Sequence, residues 1–298
     1  HFVIIHGVRG GIEKASKVMM PLLFILLLII VVASCLLPDA GKGVEFLLKP
    51  DFGKVDRNVF LNALGQSFYS MSIGMGCICT YASYFSRQTN LFKSALQISV
   101  IDLMVAVLAG LMIFPAAFSV GISPDSGPSL IFITLPNVFN KAFAALPVLG
   151  WIISLLFYVL LSVAALTSLM SLHEVNTSFF YEELKIDRKK GAWIVTISCA
   201  IIGAFCSFSL GATDKLTWLG KTLFDWFDFI TGQIFLPMAG LLTCLFLGWY
   251  VPKKILKDEF TNWGTLKGRL FGIYFFLIKF VCPILILLVF LNQFGVLA

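Results

Sequence analysis

Seven apolar stretches divide this 298-residue chain, at approximately 18–37, 60–85, 95–120, 149–181, 192–211, 222–251 and 270–297. Each reaches the roughly 20 residues that a helix needs to cross about 30 Å of hydrocarbon. That property restricts the fold more than any motif does. No water satisfies an open backbone inside a bilayer, so these segments read as helices. Composition agrees, with 59% of residues hydrophobic and 13% charged, against about 25% charged in a soluble domain. The expected fold is all-α: a polytopic membrane protein of about seven transmembrane helices in a single transmembrane domain over 1–298. The 149–181 stretch exceeds one crossing, so its end is expected to project into water. Segment 121–148 is too apolar for a plain loop and too short to span, and reads as an extracellular re-entrant or capping element.

Charge orients the spans. Fourteen lysines and arginines fall in the N-terminal segment and the 86–94, 182–191 and 252–269 loops, seven fall on the opposite side, and Lys279 lies within the last span. The positive-inside rule then places the N-terminal segment in the cytoplasm and the C-terminus outside, extracellular or periplasmic, in the plasma (inner) membrane. The net charge of +6 is accounted for by topology, so no nucleic-acid partner is expected. All seven cysteines fall within spans; without paired extracellular spacing they read as small packing residues. Residues 1–8 read as the tail of a further span, so a fragment lacking N-terminal helices of the same protein is expected.

Polar groups inside spans are functional candidates. The 60–85 stretch carries Gly65, Gly74 and Gly76 beside Gln66, Tyr69, Ser70, Ser72 and Thr80. Each glycine lowers helix propensity by about 1 kcal/mol relative to alanine. Two readings stand: glycines that let helices pack closely, or a helix broken at mid-membrane, tolerated only where it lines a cavity or is buried in protein. Asp102 sits in an apolar run, where a carboxylate needs a cation or a hydrogen-bonding neighbour. Thr167, Ser168 and Ser171 offer hard oxygen ligands to an alkali cation, or bond back to their own helix. His173 and Glu174 are adjacent and point to different faces. Asp225 and Asp228 share a helix face near the extracellular end of their span. Gly11 and Pro21 flank the start of the first span, where proline loosens the preceding turn.

Five motifs in order, GQSFYSMSIGMGCICTYASYF (65–85), DLMVAVLAGLMIFP (102–115), SLIFITLPNVF (129–139), AALTSLMSLHEV (164–175) and FDWFDFITG (224–232), resemble the neurotransmitter:sodium symporter family in its bacterial amino-acid branch. The resemblance covers essentially the whole chain. It implies the leucine-transporter fold of two five-helix inverted repeats, with this chain running from the end of span 4 through span 11. The first repeat is then mostly absent, and the chain is not expected to transport alone. The implied activity is sodium-coupled symport of an amino acid by alternating access, with sodium ions as co-substrate and no organic cofactor.

The resemblance also assigns residues. Tyr69, Ser70, Ser72 and Met75 match the family's broken helix at the substrate pocket, with Ser168 and Leu172 on the opposite wall. Ser70 and Asp102 match the first sodium site; Ala164 (through its carbonyl), Thr167 and Ser168 match the second. Asp228 matches the outer gate, and Tyr84 and Glu182 the inner gate. Gly74 and Gly76 mark the hinge of the broken helix, and Gly11 and Pro21 a second hinge that opens a water path. Ala106 stands where chloride-dependent members have serine, and Asp102 where asparagine is common, which implies chloride independence. Met75 replaces a phenylalanine and is thinner and more flexible, implying a roomier pocket for hydrophobic or aromatic amino acids. The alternative is an ion channel or a non-transporting regulatory homologue. No HExxH or GxSxG pattern points to an enzyme.

Overall fold

The computed structural model describes residues 1–86, 88–119, 121, 138–139, 144, 146–211, 217–218 and 221–294. Most of the expected capping element at 121–148 therefore lies outside the described residues. A helical turn at Phe2–Ile5 and a π-helical turn at Val8–Ile12 precede α1 (Glu13–Cys35), α2 (Ala40–Leu48), α3 (Arg57–Ser70), α4 (Cys77–Ser83), α5 (Leu91–Ser119), α6 (Pro147–Glu182) and α7 (Arg188–Gly211). The short strands β1 (Thr217–Trp218) and β2 (Lys221–Thr222) pair antiparallel. Then α8 (Leu223–Asp228) passes through π-helical Phe229–Phe235 into α9 (Leu236–Leu245) and π-helical Phe246–Tyr250. After α10 (Lys253–Phe260), α11 (Phe271–Phe276) runs through π-helical Leu277–Val281 into α12 (Cys282–Gln293).

Among the described residues, six continuous helices are long and apolar enough to cross a membrane: Gly10–Cys35, Leu91–Ser119, Pro147–Glu182, Arg188–Ser209, Leu223–Tyr250 and Phe271–Gln293. The chain is an integral membrane protein. Large apolar side chains such as Leu103, Leu169, Phe205 and Ile273 are exposed along these helices, as they are when lipid is the solvent. The 60–85 stretch is richer in polar residues and glycine than these six and divides into α3 and α4, so it does not form one helix of spanning length.

The chain forms two compact units. One takes residues 2–53 and 100–171. Its core joins Leu26, Leu27 and Ile30 of α1 to Met112 and Ala116 of α5 and to Ile153, Phe157 and Leu160 of α6. Here α2 crosses α5 closely. A Cβ on Gly43 would stand 2.5 Å from the Phe114 carbonyl carbon, so only glycine allows the approach. Phe46 packs its ring 5.1 Å from that of Phe114. Gly11 lies in the π-helical turn, while Pro21 sits inside continuous α1.

The other unit takes residue 1 and residues 54–99 and 172–298. Within it α9 packs along α12, and α3 packs on the same helix. The three π-helical segments between residues 229 and 281 all lie in this unit.

Candidate functional site

The interruption between α3 and α4 is a formed structure. Asp56 caps α3, its carboxylate accepting from the Val59 N–H at 2.8 Å. At the other end, the Ser72 N–H donates to the Tyr69 carbonyl at 3.0 Å and the Ile73 N–H to the Phe68 carbonyl at 3.1 Å. This pair of bonds is a Schellman closure, whose C′ residue is usually glycine in the left-handed region. Here that residue is Ser72, with φ 52°, which costs a non-glycine residue roughly 1–2 kcal/mol. Gly74 (φ 87°) and Gly76 (φ 80°) follow in the same region, and α4 starts at Cys77 with Gly76 as its N-cap. Three left-handed residues among five thus turn the chain out of one helix and into the next.

The break rests on α9. A Cβ on Gly74 would stand 2.4 Å from the Leu236 carbonyl oxygen, and one on Gly240 would stand 2.4 Å from Cζ of Phe68. Gly74 lets the interrupted segment touch the backbone of α9, and Gly240 makes room there for the Phe68 ring. Gly76 faces Val175, which a Cβ would meet at 3.2 Å. Around the break, Tyr69 and Ser70 are exposed, and Ser72 and Met75 are half-buried. Both Gly74 and Gly76 therefore occupy positions that a side chain would strain.

A cavity of about 330 Å³ lies on the α3 side of the break. Its polar lining includes Tyr69, Asn62, Gln66, Asp228, Gln233 and Asn292. The structure thus brings Tyr69 and Asp228 to one cavity. It separates the two acids of LFDWFDFITG. Asp225 belongs to a capping box: its carboxylate accepts from the Thr222 N–H at 3.0 Å and the Thr222 hydroxyl at 2.7 Å, and its own N–H donates to Thr222 Oγ1 at 3.1 Å. Asp225 starts a helix, whereas Asp228 looks into the cavity.

Along α6 the hydroxyls do what short polar side chains do in helices. Thr167 donates to the Ala164 carbonyl at 2.8 Å and Ser171 to the Thr167 carbonyl at 3.2 Å. The first bond holds two of the expected sodium ligands, Ala164 O and Thr167 Oγ1, side by side. Both are neutral hard oxygens with lone pairs to spare, a donor set that suits an alkali cation. Ser168 is exposed, as is Leu172, and Asp102 is half-buried on α5 one turn before Ala106.

Tyr84, one of the two expected inner-gate residues, has a buried partner. The Tyr84 hydroxyl donates to Glu174 Oε1 at 2.9 Å, and Arg188 donates to Oε2 of the same carboxylate at 2.5 Å. Glu174 is fully buried. Glu182 lies two turns further along α6, exposed, its backbone carbonyl accepting from Lys185 at 2.6 Å. Tyr84 meets the earlier carboxylate because Arg188, opening α7, neutralises it there. A glutamate at residue 174 of an apolar run, with arginine at the start of the next helix, is the signal that could have found this pair. His173 turns the other way, its ring nitrogens 3.0 Å from Thr177 Oγ1 and 2.9 Å from Thr196 Oγ1.

Residues 1–297 match the family described as the sodium:neurotransmitter symporter family. The chain is 37% identical over 297 residues to the uncharacterized sodium-dependent transporter YhdH of Bacillus subtilis, covering 99% of this chain and 64% of that protein. It is 36% identical to an uncharacterized sodium-dependent transporter of Haemophilus influenzae, covering 98% and 63%. A sodium-dependent nutrient amino acid transporter 1 of Drosophila persimilis is 27% identical over 219 residues, covering 70% and 32%. The crystal structure of MhsT in complex with L-phenylalanine superposes with a TM-score of 0.84 at 36% identity, over 98% of this chain and 65% of that one. The chain thus spans somewhat under two thirds of the length of its bacterial relatives.

Proposed function

The chain belongs to the sodium:neurotransmitter symporter family, a family of transporters that use sodium rather than of enzymes, and from that premise we propose that it is part of a sodium-coupled symporter of hydrophobic or aromatic amino acids. The observation that carries this reading is the break at residues 71–76. An apolar, membrane-length stretch gives up helical backbone at its centre and holds Ser72, Gly74 and Gly76 left-handed to do so. Backbone freed at membrane depth is tolerable where it lines a cavity or is buried in protein, and there it offers carbonyls to a cation and N–H groups to a carboxylate.

In this reading Tyr69, Ser70, Ser72 and Met75 line the substrate pocket with Ser168 and Leu172. Ser70 and Asp102 belong to one sodium site, and Ala164, Thr167 and Ser168 to a second. Asp228 closes the outer side; Tyr84 and Glu182 close the inner side, with Tyr84 held by the Glu174–Arg188 pair. Gly74 and Gly76 are the hinge of the broken helix, and Gly11 and Pro21 that of the first span. The phenylalanine bound to MhsT and the thin Met75 side chain support an aromatic or bulky apolar substrate. Asp102 carries the negative charge that chloride supplies elsewhere, so transport is chloride-independent. The N-terminal segment faces the cytoplasm and the C-terminus the outside of the plasma (inner) membrane.

Inward movement of one sodium ion contributes roughly 2.3 kcal/mol per 100 mV. Coupled to substrate, that drives accumulation. The test is uptake of labelled phenylalanine, tryptophan, tyrosine and leucine into proteoliposomes holding the product of the full coding sequence. Uptake should vanish when choline replaces sodium; uptake that persists in choline rejects the reading.

A further inference from the structure

Lys279 is a cation within the last apolar helix, and the structure gives it an aromatic setting. Its ammonium lies 4.5 Å from the Trp249 ring centre and 5.7 Å from those of Phe275 and Phe280. Lys253, the first residue of α10, places its own ammonium 5.0 Å from the same Phe275 ring. The setting is closely packed. Two π-helical segments, Phe246–Tyr250 and Leu277–Val281, face each other, and a Cβ on Gly248 would stand 2.9 Å from the Lys279 Cα. The Trp249 indole N–H donates to the Lys279 carbonyl at 3.3 Å, which fixes the ring beneath the ammonium. The Trp249 and Phe280 rings meet edge to face at 5.9 Å.

Aromatic faces attract an ammonium but accept none of its three N–H bonds in the way an oxygen does. Among the described residues neither Lys253 nor Lys279 has a carboxylate within 4.0 Å. The adjoining 252–269 loop carries five basic residues against Asp258 and Glu259. Trp249 is 62% and Tyr250 79% exposed at the end of their helix, the placement of an aromatic belt at the headgroup level. A half-buried Lys279 beside them reaches that level by extending its stem.

We propose that Lys279 and Lys253, framed by Trp249, Phe275 and Phe280, form a binding site for the phosphate of an anionic phospholipid at the membrane boundary. The phosphate supplies the oxygen acceptors that the rings lack. The rings border the acyl region below it. A basic recess between membrane helices is the setting in which such headgroups bind. The inference rests on the chain being a membrane protein and is independent of what it transports.

The test is native mass spectrometry of the protein released from nanodiscs of phosphatidylcholine mixed with phosphatidylglycerol. The wild-type protein should retain phosphatidylglycerol preferentially. Lys279→Gln and Lys253→Gln should each cut that preference about five-fold, leave phosphatidylcholine retention unchanged, and combine in the double variant. Lys279→Arg should keep the preference. Lys253 is exposed, so K253Q carries the test even where K279Q fails to fold. No preference in the wild type, or an equal preference in wild type and K253Q, overturns the proposal and leaves the rings as a packing clasp or Lys279 as partner to an acid elsewhere in the protein.

Discussion

Tyr84 and Glu174 are joined by a 2.9 Å hydrogen bond, 90 residues apart in sequence, at a carboxylate that Arg188 also holds. The three groups come from the ends of α4, the body of α6 and the start of α7. Their unequal exposure sets an order of cost. Arg188→Ala leaves a fully buried carboxylate without its cation and should cost about 3–5 kcal/mol. Glu174→Gln leaves an arginine that still reaches water, its side chain being 22% exposed, and should cost less. Tyr84→Phe removes one hydrogen bond to a charged group, about 1.5–3 kcal/mol. Thermal unfolding in detergent reads the order, and a milder effect for R188A than for Y84F would contradict it.

Ser72 and Gly74 should respond in opposite directions to single changes. Ser72→Gly relieves a left-handed serine and should stabilise the protein by up to about 1 kcal/mol. It also deletes a proposed pocket hydroxyl, so sodium-driven uptake should lose affinity for substrate as stability rises. Gly74→Ala adds a methyl where the Leu236 carbonyl oxygen would stand 2.4 Å away, at a φ that alanine avoids, and should abolish folded expression. Melting temperature and KM measured on the same preparations separate the two effects.

The acids of α8 should separate by assay. Asp225→Ala removes a capping box and should lower the melting temperature with KM unchanged. Asp228→Asn alters the cavity it shares with Tyr69 and should change substrate affinity or retention with little effect on unfolding. The reverse assignment would show in the same two measurements.

Asp102 carries the ion prediction. Uptake by the wild-type protein should be indifferent to exchange of chloride for gluconate. Asp102→Asn should weaken sodium dependence or create a need for chloride, and adding Ala106→Ser should strengthen that need. An identical ion profile in all three proteins would remove Asp102 from the ion site.

What the sequence made legible follows from what glycine and apolar length report. Gly74 and Gly76 announce a conformation that other residues resist, so the break could be placed at the centre of 60–85. Helical crossings are visible because lipid imposes their length. Ser72 carries no such mark: its left-handed geometry comes from the Schellman closure, a property of the chain around it. The pairing of Tyr84 with Glu174 depends on where Arg188 arrives from the next helix, which local spacing does not encode. Asp225 and Asp228 look alike in a helical projection, and only the β2–α8 corner, where Thr222 offers both an N–H and a hydroxyl, tells the cap from the cavity residue.

The contact of Gly74 with the Leu236 carbonyl joins main chain to main chain, so its upkeep asks nothing of the side chain at 236. Tyr69, Ser72 and Met75 flank the same break without being part of that contact. On the proposed substrate reading, substitutions at those three positions re-tailor what the recess accepts while the anchor beneath them stays unchanged, so a lineage could shift its diet without rebuilding the joint.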